Sequence, residues 1–342
     1  MSDRMRTRPR SWLIPLALLH LLAVRTASAS EFAVRQFSLP TAALPSALAV
    51  DDHGVVWVAV THADTLLRLD PSTGSFTTFK LPNRTHPAAL LSDPGGRLWF
   101  ASSGLGLVGR LDRGRVNEFV LPSLVQQKVA GFPTPRALTF DPSADEVWFS
   151  IQSNGRVGRL PRLSEPSRRE LSIRELPVAS SVARLQGIAS DGHGGVWVAE
   201  SGVDRVTRVD VTTATLRRIV LPPGSRPHAV VRGADGRLWF TLFGSHRLLR
   251  LDPNSHAVKS WIMPSAPRSS PVAITADRRG ALWVAEYDAG TVVRFDPHLE
   301  AFAVVRVAPA LARVQALAAD PSGRVWFVTG FGARLGVIER VR

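Results

Sequence analysis

Seven tryptophans, Trp57, Trp99, Trp148, Trp197, Trp239, Trp283 and Trp326, each follow a short Asp/Gly-rich turn inside an apolar run. They stand 42, 49, 49, 42, 44 and 43 residues apart, a period of about forty with two insertions. Self-similarity at this period restricts the chain to a stacked or circular array of one supersecondary unit. Around Trp239 that unit reads as four short runs, 228–232, 237–241, 247–251 and 257–263, separated by Asp/Gly/Pro turns. Such a pattern predicts a four-stranded antiparallel meander. A sheet with two apolar faces cannot bury both alone. Radial packing around an axis does bury them, which predicts an all-β, seven-bladed β-propeller with each repeated Trp wedged between neighbouring blades.

Closure of the ring is also readable. Six repeats end in a fourth-strand signature: 76–82 (FTTFKLP), 117–122 (NEFVLP), 173–177 (IRELP), 216–222 (LRRIVLP), 259–264 (KSWIMP) and 303–309 (AVVRVAP). The seventh stops after its third strand, 334–341, while 34–40 (VRQFSLP) carries the same signature ahead of the first complete repeat. The N-terminal strand is therefore expected to complete the last blade and cover its open edge.

Residues 1–29 stand apart from the repeats. Arg4, Arg6, Arg8 and Arg10 precede an apolar stretch from Trp12 to Val24, and Ala27-Ser28-Ala29 fits a small-residue cleavage pattern. The expectation is a secretory leader, with residues 30–342 exported to the periplasm or the medium as a monomer without a membrane span. The chain has no Cys, which excludes disulfides, thiolate zinc sites and cysteine nucleophiles. An exported domain of roughly 310 residues is long enough to bury a core without them. The net charge of +14 falls to about +10 without the leader. The arginines are spread through every repeat and are not interleaved with aromatic residues, which argues against specific nucleic-acid binding.

Ligands of propellers gather where the central channel opens, so the polar residues at one rim are the candidates. Aligned starts of the innermost strands hold Ser46, Ala88, Arg136, Gln186, His228, Val272 and Gln315. Three residues past each Trp stand Val60, Ser102, Ile151, Glu200, Leu242, Glu286 and Thr329. His228 and Glu286 are the candidate catalytic pair, Glu200 and Glu286 the candidate metal ligands, and Arg136, Gln186, Gln315 and Tyr287 the candidate ligand-binding residues. A histidine and two carboxylates at one mouth could hold a divalent cation or supply a general base; equally, a solvated rim needs polar residues. His62, His86 and His246 lie near the same rim with no matching acid at a recognisable spacing. No nucleophile elbow, phosphate loop or dinucleotide fingerprint is present.

The Trp-Phe pair followed by Gly-Arg-Leu and a closing Leu-Pro, best seen in 98–122 and 226–241, resembles the virginiamycin B lyase (streptogramin lyase) family over about 32–342. The resemblance implies Mg2+-dependent opening of a macrocyclic lactone by elimination. That chemistry needs a base for an acidic Cα proton and a cation to stabilise the negative charge. The family's Arg-Pro-His-Ala segment is present as Arg226-Pro227-His228-Ala229. Where the family has Glu-Pro-His in the following blade, this chain has Ser270-Pro271-Val272, and where it has a Glu four residues beyond that blade's Trp, Tyr287 stands with Glu286 one residue earlier. In blade order His228 falls in the fifth repeat rather than the sixth; in that alternative register Gln315 takes the base position, so either register lacks the base. Two functions stay open: an exported propeller binding a small molecule, peptide or glycan at its rim, and a carbon–oxygen lyase with a site rearranged around His228 and Glu286.

Overall fold

The computed structural model describes residues 24–25, 31–40, 44–126, 132–162, 173–307 and 312–341. The expected leader lies outside them except for Val24–Arg25, a two-residue strand parallel to Ala301–Arg306. Much of the two insertions, 127–131 and 163–172, also lies outside the described residues.

Seven four-stranded antiparallel blades make the ring; six are uninterrupted meanders along the chain, and the seventh takes its outer strand from the N-terminal end. Their innermost strands are Pro45–Val50, Pro87–Ser92, Pro135–Asp141, Leu185–Ser190, Pro227–Arg232, Pro271–Ala276 and Val314–Ala319. The blade around Trp239 has strands Pro227–Arg232, Leu238–Leu242, Arg247–Leu251 and Val258–Ile262, within one residue of the sequence reading. Ring closure is as expected: Phe32–Ser38 pairs antiparallel with Arg334–Arg340, from Phe32 opposite Arg340 to Ser38 opposite Arg334.

Seven separate apolar clusters hold the ring, one at each junction between blades. Trp239 packs on Leu282, Val284 and Phe295 of the next blade, and Trp326 of the last blade packs on Val56 and Val58 of the first. Six of the seven repeated tryptophans are buried, whereas Trp57 is half-buried against Phe79.

The Asp-rich turn before the Trp has a defined task. In the second blade Asp93 Oδ1 accepts the N–H groups of Gly95 and Arg97, closing the turn. Its Oδ2 accepts the indole N–H of Trp99, six residues on. Asp277 with Trp283 and Asp320 with Trp326 repeat the device. Directly across from the Trp, six third strands carry an arginine: Arg68, Arg110, Arg159, Arg208, Arg250 and Arg294. The guanidinium groups of Arg110, Arg159 and Arg250 lie 5.3, 5.4 and 5.8 Å from the indole centroids of Trp99, Trp148 and Trp239, within cation–π range. Six of the seven blades thus carry an arginine across from the Trp, with Val337 at that place in the last, which is why much of the positive charge spreads along the chain.

The glycine of the Gly-Arg-Leu motif is equally specific. A Cβ at Gly109 or Gly158, or at the equivalent Gly336 of the last blade, where Val337 and Ile338 follow, would overlap the ring of Phe100, Phe149 or Phe327 on the neighbouring strand. Replacing Gly109 by Ala would ordinarily stabilise a strand through the unfolded chain by about 0.4–1 kcal/mol. Overpacking against a fully buried ring costs about 1–3 kcal/mol and dominates. Gly109→Ala is expected to lower the denaturant midpoint; an unchanged or raised midpoint would show that the ring moves aside freely.

Candidate functional site

Each innermost strand breaks register near its start. The interruptions fall between Pro45 and Ala47, Pro87 and Ala89, Pro135 and Ala137, Leu185 and Ile188, Pro227 and Val230, Pro271 and Ala273, and Val314 and Ala316. The residues skipped include Ser46, Ala88, Arg136, Gln186, His228, Val272 and Gln315, the seven positions aligned from the sequence. A bulge frees a side chain from the alternation of the strand and re-aims it. Here it happens once per blade at the same height, so the bulges make a ring where the first strands begin, termed here the upper rim.

Neighbouring bulges are tied together. Ser46 Oγ donates to the Pro87 carbonyl at 2.9 Å, and Arg136 Nε donates to Gln186 Oε1 at 3.3 Å. His228 Nδ1 lies 2.8 Å from the Val272 carbonyl oxygen. A carbonyl can only accept, so Nδ1 carries the proton and the neutral ring keeps its lone pair on Nε2. Between these groups Gly187 permits the approach of two strands: a Cβ there would lie 2.8 Å from the His228 carbonyl oxygen and 2.9 Å from Ala229 Cα.

The channel mouth is electrostatically unusual. Arg136 is exposed at the mouth, and the protein surrounding it lowers its pKa through desolvation. Half-buried His228 is pushed down to about 4, by burial first and then by the charge of Arg136, against the opposing pull of the Val272 carbonyl. Its imidazole is therefore neutral at pH 7 and remains so well into the acid range. The unfolded chain takes up that proton near the ordinary value of about 6.5. Stability is consequently lost as pH falls from about 6.5 towards 4, by up to roughly 3 kcal/mol for this group. His228→Gln is expected to flatten that part of the stability–pH curve. Parallel curves for the two proteins between pH 6.5 and 4 would refute the assignment.

The two carboxylates do not join this ring. Glu200 and Glu286 are fully buried. Glu200 is bound by Arg205 at 3.0 Å and by the Thr207 hydroxyl. Glu286 accepts the hydroxyls of Ser265 at 2.6 Å and Thr291 at 2.5 Å, and the Ser265 N–H at 3.3 Å. Burial raises its pKa, opposed by those hydrogen bonds and by His246. The expectation of a His228, Glu200 and Glu286 constellation is thereby corrected. In a radial sheet both faces of a second strand look at neighbouring blades, so residues three past the Trp are enclosed and only first strands border the channel. Among the described residues no group of three or more His, Asp or Glu side chains is arranged to hold a metal ion.

Tyr287 stays on the rim, beside Arg313, whose Nη1 donates to its hydroxyl at 3.4 Å and whose guanidinium lies 5.4 Å from its ring centroid. Gln315 Nε2 lies against the backbone of Gly330. Two features were missed by sequence reasoning. His246 does have an acid within electrostatic reach, Glu286 in the next blade, and its Nδ1 accepts the N–H of Ser270 at 3.3 Å. Arg184, Arg226 and Arg313, each immediately before an innermost strand, have φ of 47°, 47° and 54°. Non-glycine residues visit this region rarely. Nothing in a one-dimensional pattern signals it, because glycine is the usual marker.

A family model described as Virginiamycin B lyase family matches residues 25–173 and 133–342. No curated protein matches the chain. Among solved structures, one described as a streptogramin B lyase superposes with a TM-score of 0.81 at 21% identity, covering 92% of this chain and 100% of the other. Virginiamycin B lyase from Staphylococcus aureus gives 0.79 at 22%, covering 90% and 99%. A catalytically inactive histidine-to-alanine form of that enzyme, with quinupristin, gives 0.79 at 21% over the same shares. The extracellular domain of a two component system from B. thetaiotaomicron gives 0.70 at 16%, over 91% of this chain and 43% of the other. At these identities the structural likeness establishes the fold.

Proposed function

Because the chain belongs to the virginiamycin B lyase family, its departures from that family's site pattern carry the functional reading, and we propose that it is an exported propeller that binds a small molecule, peptide or glycan at the upper rim without the family's elimination chemistry. The observation that carries this is the make-up of the ring of bulges: Arg136, Gln186, His228 and Gln315 are polar groups suited to recognition, while Val272 stands where the family places its base. A divalent cation does not fit the donor set. Glu200 and Glu286 are enclosed and already paired, Asp288 accepts from the Ser270 hydroxyl, and Arg136 puts positive charge in the channel. His228 supplies an acceptor at Nε2, Gln186 fixes the guanidinium, and the fixed loops hold both in place for a bound molecule.

The second reading, a carbon–oxygen lyase with a rearranged site, rests on one observation: His228 is neutral with Nε2 unprotonated, the form a general base requires. Export rests on the arginine-rich leader and its Ala27-Ser28-Ala29 cleavage pattern. Among the described residues no helix is long and apolar enough to cross a membrane.

The test is a thermal-shift screen of residues 30–342 against peptides, glycans and macrocyclic lactones, since a ligand specific to the folded state raises its midpoint by mass action. Hits are expected to lose their effect in Gln186→Ala and to keep it in Arg217→Gln, which lies on the opposite face. Hits that respond only to Arg217→Gln would place binding elsewhere, and ring-opened product from a lactone hit would favour the lyase.

A further inference from the structure

The upper rim carries several arginines, and most of its carboxylates are committed to other groups; the exposed Asp288 accepts the Ser270 hydroxyl. Among the described residues the one side-chain hydrogen-bond partner of Arg136 is Gln186, which is neutral. Among the described residues no carboxylate forms an ion pair with Arg136, Arg184, Arg226 or Arg313. Two other acids of the rim are bound to its loops. Asp204 accepts the N–H groups of Gly224 and Arg226 at 2.8 and 2.7 Å, and Asp64 accepts those of Arg84 and His86, each at 2.8 Å. These two carboxylates fix the loops that present Arg226 and Arg84, and Glu200 and Glu286 are enclosed between strands. The side chains of Arg184, Arg226 and Arg313 are left exposed around the mouth.

We propose that the ligand bound at this rim is an organic monoanion, a carboxylate, seated on the Arg136 guanidinium and drawn in by Arg184, Arg226 and Arg313. The inference rests on the binding reading above and specifies its ligand class. An exposed guanidinium held by a neutral partner and without a counter-ion is open to an incoming anion, which gains charge-assisted hydrogen bonds there. Gln186 occupies Nε, so the end-on pair of Nη groups faces the ligand, and its planar fork matches the two oxygens of a carboxylate. One guanidinium at the centre of the rim matches one negative charge. His228 contributes the lone pair on Nε2, which accepts a hydroxyl or amide N–H beside the carboxylate and does not add a second cation. The exposed arginines act at longer range, so the on-rate should fall as salt screens them.

Benzoate, benzamide and benzamidine share one ring and differ in charge, and they separate the possibilities. The probes are titrated into residues 30–342 at pH 7.5 and low salt, following the 1H–13C signal of the His228 ring, assigned with His228→Gln. Benzoate is expected to give a saturable shift, benzamidine none, and benzamide at most one-tenth of benzoate's affinity. Arg136→Met should weaken benzoate at least tenfold, Arg136→Lys should restore part of the loss, and Arg184→Gln with Arg226→Gln should reduce the salt dependence. The inference falls if benzamidine binds in preference, if Arg136→Met leaves benzoate affinity unchanged, or if benzoate gives no saturable shift. Saturable benzamide binding without benzoate binding would sink the anion while leaving recognition at the rim intact. A rim silent to all three probes sinks the anion, and the wider ligand screen then judges the binding reading by itself.

Discussion

Removal of residues 31–40 from the exported chain should lower its unfolding temperature by about 10 °C or more. The strand they supply pairs with the last blade and leads directly into the first, reinforcing the packing of Trp326 on Val56 and Val58 where the ring closes. Phe32 sits edge-on to Trp283 at 5.3 Å between ring centroids, and Phe37 stacks on Trp326 at 6.0 Å. Leu39 is buried and Val34 packs on the cluster around Trp283. Burying four such side chains, three of them partly, stabilises by roughly 5 kcal/mol, and Trp283 and Trp326 lose cover as well. At about 2 °C per kcal/mol for a chain of this size the shift follows. The exposed ion pairs Arg35–Glu339 and Arg340–Glu31 add little. Deletion also bares Arg334–Arg340 as an unpaired edge, so the truncated protein should self-associate. A synthetic peptide of residues 31–40 added in trans should recover part of the stability. A truncated protein melting with the full chain would show that the closure is dispensable.

The architecture was legible because the residues that build it recur. Trp with its turn aspartate, the cross-strand Arg and the closing Leu-Pro are each repeated along the chain, and the displaced signature at 34–40 could be matched to the missing strand at the end. The ring of inner-strand positions could be aligned for the same reason, and the structure finds those seven residues at its bulges. What escaped was everything set by contacts between blades. Glu286 looked like a rim residue because it is polar at a strand end, yet Ser265 and Thr291 enclose it. His246 looked unmatched because the acid that acts on it lies forty residues away in the next blade. The conformation of Arg184, Arg226 and Arg313 has no sequence marker at all. Pairing between blades is three-dimensional information that a repeat pattern does not carry.

Opening of quinupristin by the unmodified protein in the presence of Mg2+ should be absent or very slow, and Ser270→Glu combined with Val272→His should raise it by about two orders of magnitude or more. Both positions are informative in the structure. Ser270 has φ of 42° and donates to Asp288 Oδ2. Val272 occupies the bulge of its blade with its side chain against the cluster around Trp283. What it offers at the channel is its carbonyl oxygen, which holds His228 Nδ1–H. A main-chain acceptor survives substitution, so His228 keeps its orientation in the double variant. An imidazole at position 272 would stand beside His228 and near Arg136, where burial and positive charge keep a histidine neutral, as they do His228. Neutral imidazole is the form that can take a Cα proton, so the rate should hold at mildly acid pH rather than fall below about 6.5. The unfolding temperature of the variant must be measured alongside, since Ser270→Glu removes the hydroxyl that Asp288 accepts and sets a second carboxylate beside it. A folded double variant that remains inert would mean that the missing base is not what separates this chain from its relatives. Efficient elimination by the unmodified protein, abolished in His228→Ala, would overturn the binding reading and establish the rearranged lyase site.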